Sequence, residues 1–100
     1  MLENEMMDQL KQVFSAIENT IELVYDECSH DNQTELVSML KDLQSASEKI
    51  LIKSSRDISQ APAFRIQRAG INTGISFRGI PGGHEFTSLI LAILNADGKG

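Results

Sequence analysis

Residues 61–94 read APAFRIQRAGINTGISFRGIPGGHEFTSLILAIL, and this stretch decides the fold. Phe64 and Ile66 alternate with Arg65 and Gln67, and Ile75 and Phe77 alternate with Ser76 and Arg78. A period of two marks a strand with one buried face. Between the two runs, Ala69 to Gly74 carries Gly70, Asn72 and Gly74, which tolerate positive φ, so a hairpin is expected to turn there. Pro81-Gly82-Gly83 stops the second strand. Phe86, Leu89, Ile90, Ile93 and Leu94 then recur at helical spacing. Leu91 and Ala92 fill much of the remaining circumference, which predicts a closing helix buried on more than one side.

Toward the N-terminus, Leu2, Met6, Leu10, Val13 and Ile17, widened by Met7 and Phe14, form the apolar stripe of a helix over about residues 3–18, with Asn19 as its stop. The run TIELVYD, residues 20–26, is almost continuously apolar and predicts a strand in the middle of a sheet. Asn32 with Glu35 three residues on predicts a capping box, opening a helix that buries Leu36, Val37, Met39, Leu40 and Leu43 and runs to about Ser45. Lys49-Ile50-Leu51-Ile52-Lys53 predicts a short edge strand with a lysine guarding each end, and residues 54–60 have loop composition. Two strands joined through a helix are expected to be parallel with a right-handed crossover, and the last two antiparallel. With residues 20–26 inside, flanked by 49–53 and 63–67, the result is a four-stranded mixed sheet with three helices. That is an α/β, thioredoxin-like fold occupying residues 1–100 as one domain.

Composition agrees with this class. The chain has 100 residues, 41% hydrophobic and 23% charged, which is ordinary globular material. Cys28 is the single cysteine, so no internal disulfide framework or multi-cysteine zinc site is expected. The opening MLENEMMDQLK lacks the basic region and apolar core of a secretory signal, and no run approaches the roughly 18 apolar residues of a membrane span. A soluble cytoplasmic protein without membrane association is expected. The net charge of −5 is unevenly spread. Eleven acids in the first 48 residues face only Lys11 and Lys41, whereas from 49 to 80 six cations face only Asp57. A basic sheet edge that holds an anion or an acidic partner is one reading, and ordinary solvated charge is the other. An acidic total and five aromatics argue against nucleic acid.

Two features carry a resemblance. Ala61-Pro62-Ala63-Phe64 sets a proline just ahead of the final hairpin, and residues 77–89, FRGIPGGHEFTSL, closely resemble the N-terminal region of the flavoprotein subunit of bacterial alkyl hydroperoxide reductase. The similarity extends more sparsely over nearly the whole chain. The resemblance implies a thioredoxin-like fold with a cis bond before Pro62. In that family two thioredoxin-like units stand in tandem; the second carries the CxxC pair that passes electrons from a flavin domain to a peroxiredoxin, and the first lacks it and is structural. This chain resembles the first unit alone, having no CxxC and no GxGxxG for a flavin or nicotinamide nucleotide, so no cofactor is expected.

Cys28-Ser29-His30-Asp31 lies where thioredoxin-like proteins keep their CxxC, with Asp31 at the second cysteine position. A helix N-terminus favours a thiolate, while Asp26, Glu27 and Asp31 oppose a second anion. Cys28 with His30 supplies two ligands, too few for a tetrahedral metal site. Gly82 and Gly83 ahead of His84 and Glu85 make either an anion cradle or simply a tight turn. The leading expectation is a non-catalytic docking module that binds a redox domain or a second copy of itself, with Pro62, Arg65, Arg68 and Arg78 as binding candidates. The competing expectation is a monothiol glutaredoxin-like protein using Cys28, with glutathione held by Arg65, Arg68 and Arg78. A partner outside peroxide metabolism is the third.

Overall fold

Strand β1 (Ile21–Glu27) turns Ile21 and Leu23 to one face and Glu22, Val24 and Asp26 to the other, and the sheet assembles on both its edges. The computed structural model describes residues 3–98. Within them, helix α1 (Asn4–Phe14) precedes β1, and helix α2 (Gln33–Ser45) and strand β2 (Ile50–Ile58) follow it. Strands β3 (Ala63–Arg68) and β4 (Ile71–Arg78) and helix α3 (His84–Ala96) complete the chain. The strand order is β2-β1-β3-β4. β1 is parallel to β2, with Ile21 opposite Ile50, and antiparallel to β3, with Leu23 opposite Ile66. The mixed sheet therefore forms as expected, with β1 inside it.

One face of this sheet carries Ile21, Leu23, Ile50, Phe64 and Ile66. Those residues join Leu10 and Phe14 of α1, Leu36, Leu40 and Leu43 of α2, and Leu89 and Ile93 of α3 in one buried cluster. All three helices thus feed the same face. On the opposite face Val24 is 2% exposed yet lies outside that cluster; its cross-strand neighbours there are the long-stemmed Lys53 and Arg65. Phe64 and Phe77, opposite each other on β3 and β4, stack with centroids 5.3 Å apart.

Several expectations need correction. α1 ends at Phe14, where the Ser15 hydroxyl donates to the Gln12 carbonyl at 2.6 Å. Its buried line is Leu10 and Phe14, continued by Ile17 beyond the helix, whereas Met6 (39%) and Val13 (40%) are exposed on one flank. Leu2 lies outside the described residues. The expected loop at 54–60 is largely strand: β2 runs on to Ile58 through an irregularity opposite Tyr25–Glu27. Side chains hold this polar stretch, with Ser54 donating to Glu27 at 2.6 Å and Ser55 to Asp26 at 2.9 Å. The β3–β4 turn is only Ala69-Gly70, both at positive φ, a pairing whose twist matches that of the flanking strands. Asn72 and Gly74 belong to β4, where a bulge opposite Ile66–Gln67 absorbs the extra residues. α3 is buried along one side only, since Leu91 is 55% exposed.

One polar contact ties the beginning of the chain to its end. Asp97, just past α3 and 5% exposed, accepts the backbone N–H of Asn19 at 2.7 Å and that of Glu18 at 3.2 Å. The Asn19 amide donates to the same carboxylate at 2.9 Å. A buried carboxylate is tolerable only when donors converge on it in this way. We therefore expect Asp97→Ala to lose about 2–4 kcal/mol in urea denaturation, because several part-buried N–H groups lose their acceptor at once. Asp97→Asn, which keeps one oxygen, should lose less.

Candidate functional site

At the C-terminal end of β1 three connections meet: residues 28–32 leading into α2, residues 59–62 leading into β3, and residues 79–83 leaving β4. The first holds the thiol. Cys28 is half-buried, and its Sγ accepts the His30 N–H at 3.3 Å. His30 Nδ1 in turn accepts the Asn32 N–H at 3.0 Å, and the His30 carbonyl accepts that of Gln33 at 3.0 Å. The expected capping box does not form. Asn32 already has helical backbone (φ −82, ψ −1), from which its side chain caps nothing, so the imidazole closes this turn instead.

Chemically this turn offers one sulfur. A thiolate here could attack a disulfide, but resolving the mixed disulfide needs a second thiol, and Cys28 is the only cysteine of the chain. Asp31 occupies the place three residues on. Among the described residues, no group of three or more His, Cys, Asp or Glu side chains is placed to hold a metal ion.

The second connection brings a correction. The Ala61–Pro62 bond is trans, as are the other peptide bonds among the described residues. Trans is the lower-energy isomer by about 0.5–1 kcal/mol, and here the residues before β3 reach the sheet without leaving it. Pro62 is buried and its carbonyl accepts the Gly79 N–H at 2.6 Å, closing the mouth of the hairpin.

The three arginines are not brought together. Arg65 and Arg78 line one cleft of about 190 Å³ with Asp26, Ser59 and Ser76. Arg68, on the opposite face by strand alternation, lines a different cleft with Ile71, Ile75 and Asn95. An anion in the first cleft also meets Asp26, which accepts the Ser55 and Ser59 hydroxyls at 2.9 and 2.5 Å and lies 3.9 Å from Arg65.

Sequence reasoning passed over the acids of β1. Glu22 accepts Lys53 Nζ at 2.8 Å and the Gly70 N–H at 2.6 Å, clipping β2 and the β3–β4 turn to the central strand. The Lys53 hydrogen bond holds its carboxyl below the ordinary glutamate range; the Gly70 amide and the lysine charge add to this, and burial opposes it. The available signal was the recurrence of Glu22 and Asp26 among the apolar residues of TIELVYD, which puts both on one face.

The third connection borders an apolar groove. Gly83, at φ 56, leads α3 off at an angle that few other residues adopt readily. Beside it Met6, Met39, Ile80, Pro81 and Phe86 enclose a groove of about 510 Å³. At the α3 terminus itself the Glu85 and Phe86 N–H groups bond to the carbonyls of Gly82 and Gly83, at 3.1 and 3.2 Å.

A scaffold of this shape has known counterparts. The chain is 37% identical over 99 residues to the alkyl hydroperoxide reductase AhpF of Staphylococcus aureus, covering 99% of this chain and 19% of that protein. It is also 37% identical over 98 residues to a Bacillus subtilis protein named NADH dehydrogenase, of which it likewise covers 19%. Among solved structures, the NTD_N/C domain of alkylhydroperoxide reductase AhpF from Enterococcus faecalis superposes with a TM-score of 0.87 at 29% identity, over 100% of this chain and 55% of that one. A mutant of AhpF from the same organism gives 0.86 at 29% identity, over 99% and 54%. No family model matches the chain. The resemblance to AhpF thus holds over the whole chain, which spans about a fifth of the length of the curated relatives it matches. No helix among the described residues is long and apolar enough to cross a membrane.

The Glu22 clip gives a pH signature. A carboxyl whose pKa is depressed on folding stabilises the folded state above its unfolded pKa, and that contribution is lost as pH falls through the folded value. Between neutral pH and about pH 3 the denaturation midpoint of the native chain should therefore fall further than that of Glu22→Gln. Parallel slopes in urea titrations at several pH values would remove Glu22 from this role.

Proposed function

We propose that this chain is a non-catalytic thioredoxin-fold module, related to the N-terminal domain of alkyl hydroperoxide reductase AhpF, that works by docking on a partner in thiol redox or peroxide metabolism. The observation that carries the reading is the turn at Cys28: the thioredoxin-like scaffold retains a sulfur at the head of α2 while Asp31 stands where a second one would be. The whole-chain similarity to AhpF supplies the redox context. One face of the sheet carries every helix, and the other presents side chains of all four strands. Residues 1–100 act as one unit on this reading. The partner is a redox domain or a second copy of the chain.

The competing reading is a monothiol glutaredoxin-like protein. It has the half-buried Cys28 in its favour but must assemble its anion site from Arg65 and Arg78 beside Asp26, with Arg68 facing elsewhere. Insulin reduction driven by dithiothreitol separates the two. The docking module should leave the rate at the dithiothreitol background, with Cys28→Ser indistinguishable from the native chain. A turnover that Cys28→Ser abolishes would replace it with the monothiol reading. The same substitution should change stability by less than about 0.5 kcal/mol, since the thiol is half-exposed and outside the core cluster.

A further inference from the structure

We infer that the apolar groove beside the start of α3 is the docking surface itself, and that its occupant is a basic amphipathic helix. The inference rests on the docking reading and deepens it by naming the surface and the chemistry of what binds there.

α1 and α3 approach each other at both ends and point the same way. Met6, in the first turns of α1, lines the groove with Phe86 and Thr87 of α3, and at the other end Glu18 and Asn19 hydrogen-bond Asp97. Beyond the groove the helices bordering this seam carry further apolar residues. Val13 is seven residues past Met6 on the same flank of α1, and Ile90 and Leu94 follow Phe86 at successive turns of α3. Met6, Val13 and Leu91 are exposed, while Phe86, Ile90 and Leu94 are partly buried. Seven residues of helix span about 10 Å, the length over which a docked helix presents anchors at i, i+3, i+4 and i+7. The groove walls are helix and loop residues with no strand among them, so strand addition is not available to a ligand there. Two methionines among those walls suit a surface that adapts to helical side chains.

Charge selects the ligand. Glu35 lines the groove, and exposed Glu5 and Glu85 flank Met6 and Phe86 in sequence, with Glu3 and Asp8 on the same helix end. The nearby cations are directed elsewhere: Lys11 lines a cleft with Ser45 to Lys49, and Lys41 one along the outer face of α2. An apolar floor with Glu35 on its wall and exposed acids on the adjoining helix turns is complementary to leucine-type anchors flanked by lysine or arginine.

The test uses a synthetic helical peptide with leucines at i, i+3, i+4 and i+7 and lysine and arginine on its flanks. Two control peptides carry glutamate in place of the cations, or serine in place of the leucines. Titration into the labelled full chain, followed by amide and methyl NMR, should move Met6, Met39, Phe86 and Thr87 saturably. Both controls should bind at least about tenfold more weakly, corresponding to about 1.4 kcal/mol. Glu35→Lys, at an exposed position, should weaken the basic peptide and strengthen the acidic one. Equal binding of acidic and basic peptides, shifts confined to the sheet face, or no shift at all would overturn the inference. So would a dimer in sedimentation that Thr87→Arg disperses, because a second copy would then be the occupant. None of these readouts involves Cys28, so failure here leaves the insulin result standing, and a thiol turnover leaves the peptide result standing.

Discussion

A buried carboxylate closes this molecule. Asp97 stands at the negative end of the α3 dipole, where a second negative charge is unfavourable, and is kept there by N–H groups of Glu18 and Asn19 nearly eighty residues earlier. The acceptor is at the end of the last helix and the donors are in the link between α1 and β1. Together they fix the height of α1 along α3 and the point at which β1 enters the sheet. Once β1 is placed, the remaining strands follow from pairing: β2 parallel on one side, β3 antiparallel on the other, and the Glu22 clip to Lys53 and Gly70 across the three of them.

What the sequence made legible was whatever depends on periodicity. Alternation at 64–67 and 75–78, helical spacing in α2 and α3, and the apolar run at 21–25 led to the correct elements, their order and the interior position of β1. What stayed hidden depends on bonds between residues far apart in the chain. Ser55, Arg56 and Asp57 have poor strand propensity, and β2 passes through them because Asp26 and Glu27 supply acceptors that no local window contains. Asn19 looks like a helix stop, yet its function is in the Asp97 clasp. Leu91 is apolar and exposed, so a helix whose composition is greasy all round is read as buried all round.

The residues that promised chemistry are mostly committed to structure. His30 closes the turn into α2, Arg65 faces Asp26, Pro62 latches the hairpin mouth through Gly79, and Arg68 leaves the other two arginines for the opposite face. Sequence spacing put three arginines within fourteen residues, but in a strand a separation of three residues reverses the face, so Arg65 and Arg68 never could share a site. The charge asymmetry along the sequence is softened in the same way. Lys53 and Arg65, prominent in the basic segment, meet Glu22 and Asp26 from the acidic one.

The two broad surfaces therefore differ in what they can offer a partner. On the open sheet face, long charged side chains flank Val24 and pair across strands, so a partner must displace or desolvate ion pairs before gaining any apolar contact. Along the α1–α3 seam the balance is reversed. Apolar side chains there meet water already, Glu35 borders the groove from an exposed position, and covering the seam releases water without breaking a bond within the chain. A docking function on this scaffold therefore meets the least resistance on the helix side.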